Sequence, residues 1–276
     1  MPLAHLIDYF NHQYRLEYGE HADAALVQTP ERRIQARFAG LTLDSAFQPI
    51  IRTDTGATVA HEALLRATAA SQRRLSPASV FMLPTAAGEV VLLDRLCRTL
   101  HALNALLLEL PAGQLLALNV HPRHLTSVLH RHGQVFEAVL RQLGLSPQQV
   151  ILEISAAAVL QVPHLQQAVD NYRARGYRLA LDDVPVQAAP QPAWLAWQPD
   201  WIKLDLRSGP LDWPALNAWR REWPSDAELV AVGATAAQLP HLADLGIQHA
   251  QGDQLAPPCS ALTRSPLFNV QGSVQS

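Results

Sequence analysis

The chain has little of what marks a small secreted or metal-stapled protein. Only two cysteines, Cys97 and Cys259, occur in 276 residues. Neither belongs to a Cys-x-x-Cys pair, so zinc ribbons and disulfide frameworks are excluded and a reducing, cytoplasmic setting is expected. Charge is also scarce: 16% of residues are charged, and 21 basic against 24 acidic side chains leave a net charge of −3. No block of like charge stands out, which argues against a protein that tracks DNA phosphates. No stretch approaches the ~20 apolar residues of a membrane span. The opening Met1-Pro2-Leu3-Ala4-His5 lacks the basic and apolar regions of a signal peptide. A dinucleotide-binding Gly-rich turn and a short-period repeat are both missing.

Apolar residues, by contrast, make up 49% of the chain. That excludes a wholly disordered protein, and the length admits a single α/β barrel of ~250 residues. Leu3, Leu6, Ile7, Phe10 and Tyr14 recur at helical spacing, so an amphipathic helix is expected over 3–16, either packed on the main domain or free for a partner. Residues 18–40 read as polar and irregular. Strands are expected at 46–52 and 58–66, around a turn at Asp54-Thr55-Gly56, and a long helix over 88–109. Strands at 115–120, 150–154, 178–181, 201–204, 229–232 and 247–250 then alternate with amphipathic helices. That rhythm means βαβ units around a buried parallel sheet, and six or more units favour a barrel over an open sheet. Residues 184–199 break the rhythm with Pro185, Pro190, Pro192 and Pro199, where at most a short helical turn fits.

In such a barrel, chemistry gathers at the C-terminal ends of the strands. Glu62, Arg66, Asn119, Glu153, Asp182, Asp183 and Lys203 are expected there. Carboxylates and an amide suit a hard divalent cation such as Mg²⁺. A lysine and an arginine beside them suit a phosphate-bearing ligand.

The ordered motifs resemble the EAL family of cyclic di-GMP phosphodiesterases. Phe47-Gln48-Pro49-Ile50 looks like its opening strand, and His61-Glu62-Ala63-Leu64-Leu65-Arg66 contains the naming tripeptide. Leu118-Asn119-Val120, Leu152-Glu153-Ile154, Leu181-Asp182-Asp183, Ile202-Lys203-Leu204-Asp205, Val230-Ala231-Val232-Gly233-Ala234-Thr235 and Gln251-Gly252 follow in family order. The resemblance implies a modified (β/α)8 TIM-type barrel with its first strand antiparallel. From the resemblance together with the residue patterns before and after it, the expected organisation is an N-terminal helical extension over 1–43, the barrel over 44–260 and a flexible tail over 261–276, Ser/Gln/Gly-rich in composition. By position, Glu62, Asn119, Glu153 and Asp182 would hold a first Mg or Mn ion. Asp182 and Asp183 would help hold a second, Lys203 would orient the attacking water, and Gln48 and Arg66 would contact the dinucleotide.

Departures cluster in one part of the motif set. Val232 and Thr235 stand where the family has glutamates, the first a metal ligand and the second a guanine contact. Ala156 replaces a glutamate that anchors the loop after Asp182-Asp183. That loop reads Val184-Pro185-Val186-Gln187-Ala188-Ala189-Pro190, without the family's glycines and serines. Losing one ion of a two-metal clamp weakens both attack and departure. The expectation is therefore a degenerate module with a vestigial Lys203, binding at most one Mg or Mn and requiring none. It would act as a cyclic di-GMP receptor working through protein contacts. A protein-interaction module without nucleotide, and a weak metal-dependent phosphodiesterase, are the alternatives. The protein partner is not specified, and a homodimer stays open.

Two further clusters carry competing readings. His121, His124, His130 and His132 are read as solvated helix residues rather than a transition-metal site. Trp194, Trp197, Trp201, Trp213, Trp219 and Trp223 are read as core rather than as a partner surface.

Overall fold

The computed structural model describes residues 3–19, 25–128, 132–162, 164–186, 188–209, 211–223 and 226–263. Its strands are β1 (Ala25–Gln28), β2 (Ile34–Phe38), β3 (Leu41–Arg52), β4 (Thr58–Ala69), β5 (Arg74–Leu75), β6 (Leu115–Asn119), β7 (Val150–Ser155), β8 (Arg178–Pro185), β9 (Trp201–Asp205), β10 (Glu228–Val232) and β11 (His249–Gln251). The helices are α1 (Leu3–Tyr18), α2 (Pro77–Phe81), α3 (Ala87–Leu107), α4 (Pro122–Ser127), α5 (Gln134–Gln142), α6 (Ala156–Gln161), α7 (Leu165–Ala174), α8 (Pro192–Ala196), α9 (Trp213–Arg220) and α10 (Leu239–Asp244).

β4, β6, β7, β8, β9, β10 and β11 run parallel in that order. β3 closes the ring by pairing antiparallel with both β4 and β11. The result is the eight-stranded barrel with a reversed first strand that the motifs imply.

Because strand side chains alternate in direction, the interior fills in layers two residues apart. The lower layer is Ile50, Ala60, Ala117, Ile151, Ala180, Trp201 and Val230. Three alanines leave room for the Trp201 indole, which lies 4.9 Å from the His249 ring. Two residues further toward the mouth, the same strands present Gln48, Glu62, Asn119, Glu153, Asp182, Lys203, Val232 and Gln251. The polar site is thus fixed by parity: an apolar plug below dictates which residues face inward above.

Residues 18–40 are more ordered than their composition indicates. β1 and β2 extend the sheet antiparallel from β3. Leu26, Ile34, Ala36 and Phe38 point inward, but runs this short are weak signals in sequence. The β2 backbone at Ile34 is clasped by one side chain of α3, since Asn104 accepts from its N–H at 3.0 Å and donates to its carbonyl at 2.8 Å. α1 buries Leu6, Ile7, Phe10 and Tyr14, and the Tyr14 hydroxyl donates to Thr99 of α3 at 2.8 Å. It is therefore the packed helix of the two readings.

The tryptophans are mostly core: Trp194, Trp197, Trp201, Trp219 and Trp223 are buried. Trp213 is half-buried and stacks on His241 at 5.0 Å. Two indoles also hold the rewritten segment after β8. Trp194 donates to the Ala156 carbonyl at 3.0 Å and Trp219 to the Ala188 carbonyl at 2.6 Å.

The histidine reading needs correction. His124 and His132 are buried rather than solvated. His124 sits against Asp94, at 3.2 Å, and Arg98, at 3.3 Å, while His121 stacks on Phe81 at 4.2 Å. The Asp94–Arg98 pair supplies the polar surroundings of the His124 ring, and His132 Nε2 faces the Leu125 carbonyl at 3.4 Å. Burial, with Arg98 adding and Asp94 opposing, pushes the His124 pKa down to about 3. His130, and the expected tail from 264 onward, lie outside the described residues.

β10 and β11 can approach at the mouth because Gly252 has no side chain. A Cβ there would lie 2.2 Å from the Ala234 carbonyl oxygen, across the Ala234 N–H to Gln251 carbonyl bond of 3.0 Å. Gly252→Ala should destabilise the fold by about 1–3 kcal/mol through overpacking against backbone. Urea unfolding followed by circular dichroism checks this, and an unchanged midpoint refutes it.

Candidate metal and anion site at the barrel mouth

Lys203 projects from β9 into the barrel and is 1% exposed. Its Nζ lies 2.9 Å from Glu62 Oε2 on β4, 2.7 Å from Glu153 Oε1 on β7 and 3.4 Å from Asp182 Oδ1 on β8. Glu62 accepts further bonds from Asn119 Nδ2 at 3.1 Å and Gln251 Nε2 at 2.8 Å. Gln251 also donates to Gln48 Oε1 at 3.1 Å, and Gln48 Nε2 in turn donates to Asp253 at 2.9 Å. One connected network therefore runs from the carboxylates to the rim.

Burial at low dielectric penalises every charge here, so neighbours decide which groups ionise. Burial pushes the Glu62 carboxyl up, but the Lys203 ammonium and bonds from Lys203, Gln251 and Asn119 overcome it, so Glu62 lies below the ordinary range. Glu153 is pushed well above that range by burial and then by the Glu62 charge, against the pull of Lys203. Burial, with the charges of Glu62 and Asp183 adding, raises Asp182 to about 6 against the same pull. Lys203 keeps its proton despite burial because Asp182, Glu153 and Glu62 surround it. Three ionised carboxylates around one ammonium would leave two uncompensated negative charges, so the cluster retains protons.

Two unit charges are what a divalent cation brings. Glu62, Glu153 and Asp182 each offer an oxygen, all within 4.8 Å of one another. Glu153 Oε2 is buried without a hydrogen-bond partner, and hard oxygen donors match Mg or Mn. The residues present therefore fit one such ion, which Glu62, Glu153 and Asp182 would hold with Asn119 beside them. When bound, it would neutralise the cluster and polarise a phosphoryl oxygen or water.

The remaining expected residues are spread along the rim. Gln48 belongs to the network. Arg66 lies four residues beyond Glu62 on the same face of β4, exposed, and donates to the Leu65 carbonyl at 3.2 Å. Asp183 is exposed at the register shift of β8, with φ at +55°. It acts on Asp182 through its charge rather than joining the buried set.

The other half of the mouth is differently built. Val232 faces inward between Asp205 of β9 and Gln251 of β11 and offers only an isopropyl group. Thr235 caps a 3₁₀ turn, its N–H donating to Gln238 at 2.8 Å. Gln251 and Asp205 stand in the sequence motifs without an expected role, and Asp253 and Arg207 carry no sequence signal. Gln251 and Asp205 were legible through strand parity, two residues beyond His249 and Lys203 on their strands, whereas Asp253 and Arg207 follow the strands and are placed by loop paths.

A reversed-first-strand barrel with inward carboxylates and a lysine at its strand ends defines an EAL-type barrel. The chain belongs to the EAL family, whose domain pattern matches residues 31–208.

Among solved structures, the chain is similar to a PaMucR phosphodiesterase in complex with c-di-GMP, at 21% identity and a TM-score of 0.65, covering 79% of this chain and 92% of that one. It is similar to Klebsiella pneumoniae BlrP1 in a manganese/cy-diGMP complex, at 23% identity and a TM-score of 0.67, covering 87% and 60%. It is also similar to a standalone EAL protein from Vibrio cholerae O395 in its c-di-GMP-bound form, at 21% identity and a TM-score of 0.65, covering 80% and 94%. These likenesses establish the fold. Among curated proteins nothing matches the chain.

Carboxylates with raised pKa values favour the fold most when protonated, and that contribution fades as pH rises through the raised value. A cation needs them ionised, so its effect runs the other way. Manganese should therefore raise Tm little at pH 5 and clearly at pH 8, the rise setting in near pH 6 where Asp182 ionises. A concentration 100-fold above Kd would stabilise by about 2.7 kcal/mol. Differential scanning fluorimetry across pH reads this, and a shift that is absent or independent of pH overturns the fit.

Proposed function

We propose that this protein is a cyclic di-GMP receptor: an EAL-type module that binds the dinucleotide at the barrel mouth and cleaves it far more slowly than an intact family member. The observation that carries this reading is the contrast across the mouth. The Glu62–Asn119–Glu153–Asp182 set is complete around Lys203, while the neighbouring inward position is Val232. One cation can grip a phosphodiester, but attack and departure in a two-ion mechanism each lean on their own ion. The solved relatives bound to cyclic di-GMP support the choice of ligand.

Arg66, exposed above the carboxylates, and Gln48 would meet the nucleotide, and the output would pass through a protein contact. Both cysteines are free, in keeping with a cytoplasmic site of action. No helix among the described residues is long and apolar enough to cross a membrane.

Calorimetry with cyclic di-GMP, with and without Mg²⁺, tests the reading. Saturable heat is expected, with Arg66→Ala weakening binding roughly tenfold, or ~1.4 kcal/mol. Turnover with Mn²⁺ should fall at least ~10²-fold below an intact family member, as loss of a positioned acid–base group alone predicts. Absence of heat in the wild type would favour an interaction module, and family-like turnover would make the protein a phosphodiesterase.

A further inference from the structure

Beside Val232 the mouth holds a guanidinium that no part of the proposed function uses. Arg207 follows β9, and Asp205 Oδ1 accepts both its backbone N–H at 3.0 Å and its Nε–H at 2.7 Å. Its stem lies flat over the turn after β10: a Cβ on Gly233 would stand 2.6 Å from Arg207 Cγ and 2.8 Å from Cδ. Gly233 has φ at +80°, so the turn that clears this path is one only glycine adopts freely. The charges of Asp183 and Asp253 also act on the guanidinium. These two carboxylates come from β8 and from the loop after β11, on either side of the Val232 position. The side chain is 64% exposed, so its head is reachable from solvent while its stem is held. Among the described residues, neither Nη group donates to an acceptor.

We propose that Arg207 is a built-in substitute for the second cation: its guanidinium fills the charge position beside Val232 and offers its free amino groups to a phosphodiester oxygen of the bound cyclic dinucleotide. The ligand half of this statement rests on the receptor reading above. Charge and chemistry agree with it. An isopropyl group in place of a carboxylate removes one negative charge, and the guanidinium adds one positive charge. Together these equal the two charges of a dication. A guanidinium binds phosphate through a planar pair of N–H donors, but it has no open coordination position and does not generate hydroxide from water. A mouth built this way holds a phosphodiester without attacking it.

Two measurements test the inference separately from the receptor reading. The first counts Mn²⁺ ions per chain by calorimetry or electron paramagnetic resonance, without nucleotide. V232E alone is expected to bind one ion, because the introduced carboxylate pairs with Arg207. The V232E/R207S double variant is expected to bind two. Equal stoichiometry in the two variants overturns Arg207 as a cation substitute, whatever the nucleotide does.

The second measurement titrates cyclic di-GMP into wild type, R207A and R207K. R207A is expected to bind at least roughly tenfold more weakly, and R207K to fall between it and wild type, because lysine keeps the charge but loses the fork. Arg141→Ala, at an exposed site on α5, should bind as wild type does. Wild-type affinity in R207A overturns the phosphate contact and leaves the receptor reading standing. No binding by wild type sinks the receptor reading and the phosphate contact together, and the ion count still decides the cation role.

Discussion

Lys203 reaches three carboxylates from three different strands, and the polar layer of the barrel is organised by that contact. Buried charges are tolerated only when paired and hydrogen-bonded. Glu62, Glu153 and Asp182 meet that condition through one ammonium, aided by the amides of Asn119 and Gln251. The arrangement is under-neutralised, which is why Glu153 holds its proton so tightly. A site that would carry two surplus negative charges once all three carboxylates ionise is poised for a dication and poorly suited to an anion on its own. A phosphate at this mouth would therefore need added positive charge, whether from an ion or from side chains at the rim.

The mouth divides into two halves with different chemistry. Strands β4 to β8 supply carboxylates and an amide, the donor set of a hard cation. Strands β9 to β11 supply Lys203, Val232 and Gln251, with Asp205 and Arg207 just above. The second half pairs the Arg207 guanidinium with the Asp205 carboxylate, where the first gathers three carboxylates around one ammonium. The rewritten segment after β8 is held by the indoles of Trp194 and Trp219 rather than by the glutamate that the family places at Ala156. Both anchors are hydrogen bonds from neutral, buried indoles.

Much of this was readable from the chain. Strand-end polar residues at 62, 119, 153, 182 and 203 follow from apolar runs that stop at a polar residue, and the helices between them force a parallel barrel. What escaped reading has physical reasons. β1 and β2 are too short for their alternation to stand out, and they are held by pairing on β3 and by Asn104 of a distant helix at Ile34. The buried histidines look like surface residues in sequence. Only the packing of α3, α4 and α5 puts His124 beside Asp94 and Arg98.

The sequence by itself determined the layered interior, because strand parity and side-chain size are local: alanines at 60, 117 and 180 make way for Trp201, and the residues two steps on must face the mouth. Only the tertiary structure decided which charges meet there. Arg207, Asp183 and Asp253 come within reach of one another's charge through a left-handed turn at Gly233, a register shift in β8 and the path of a loop. Those are long-range closures of the chain, and no periodicity in the residues encodes them.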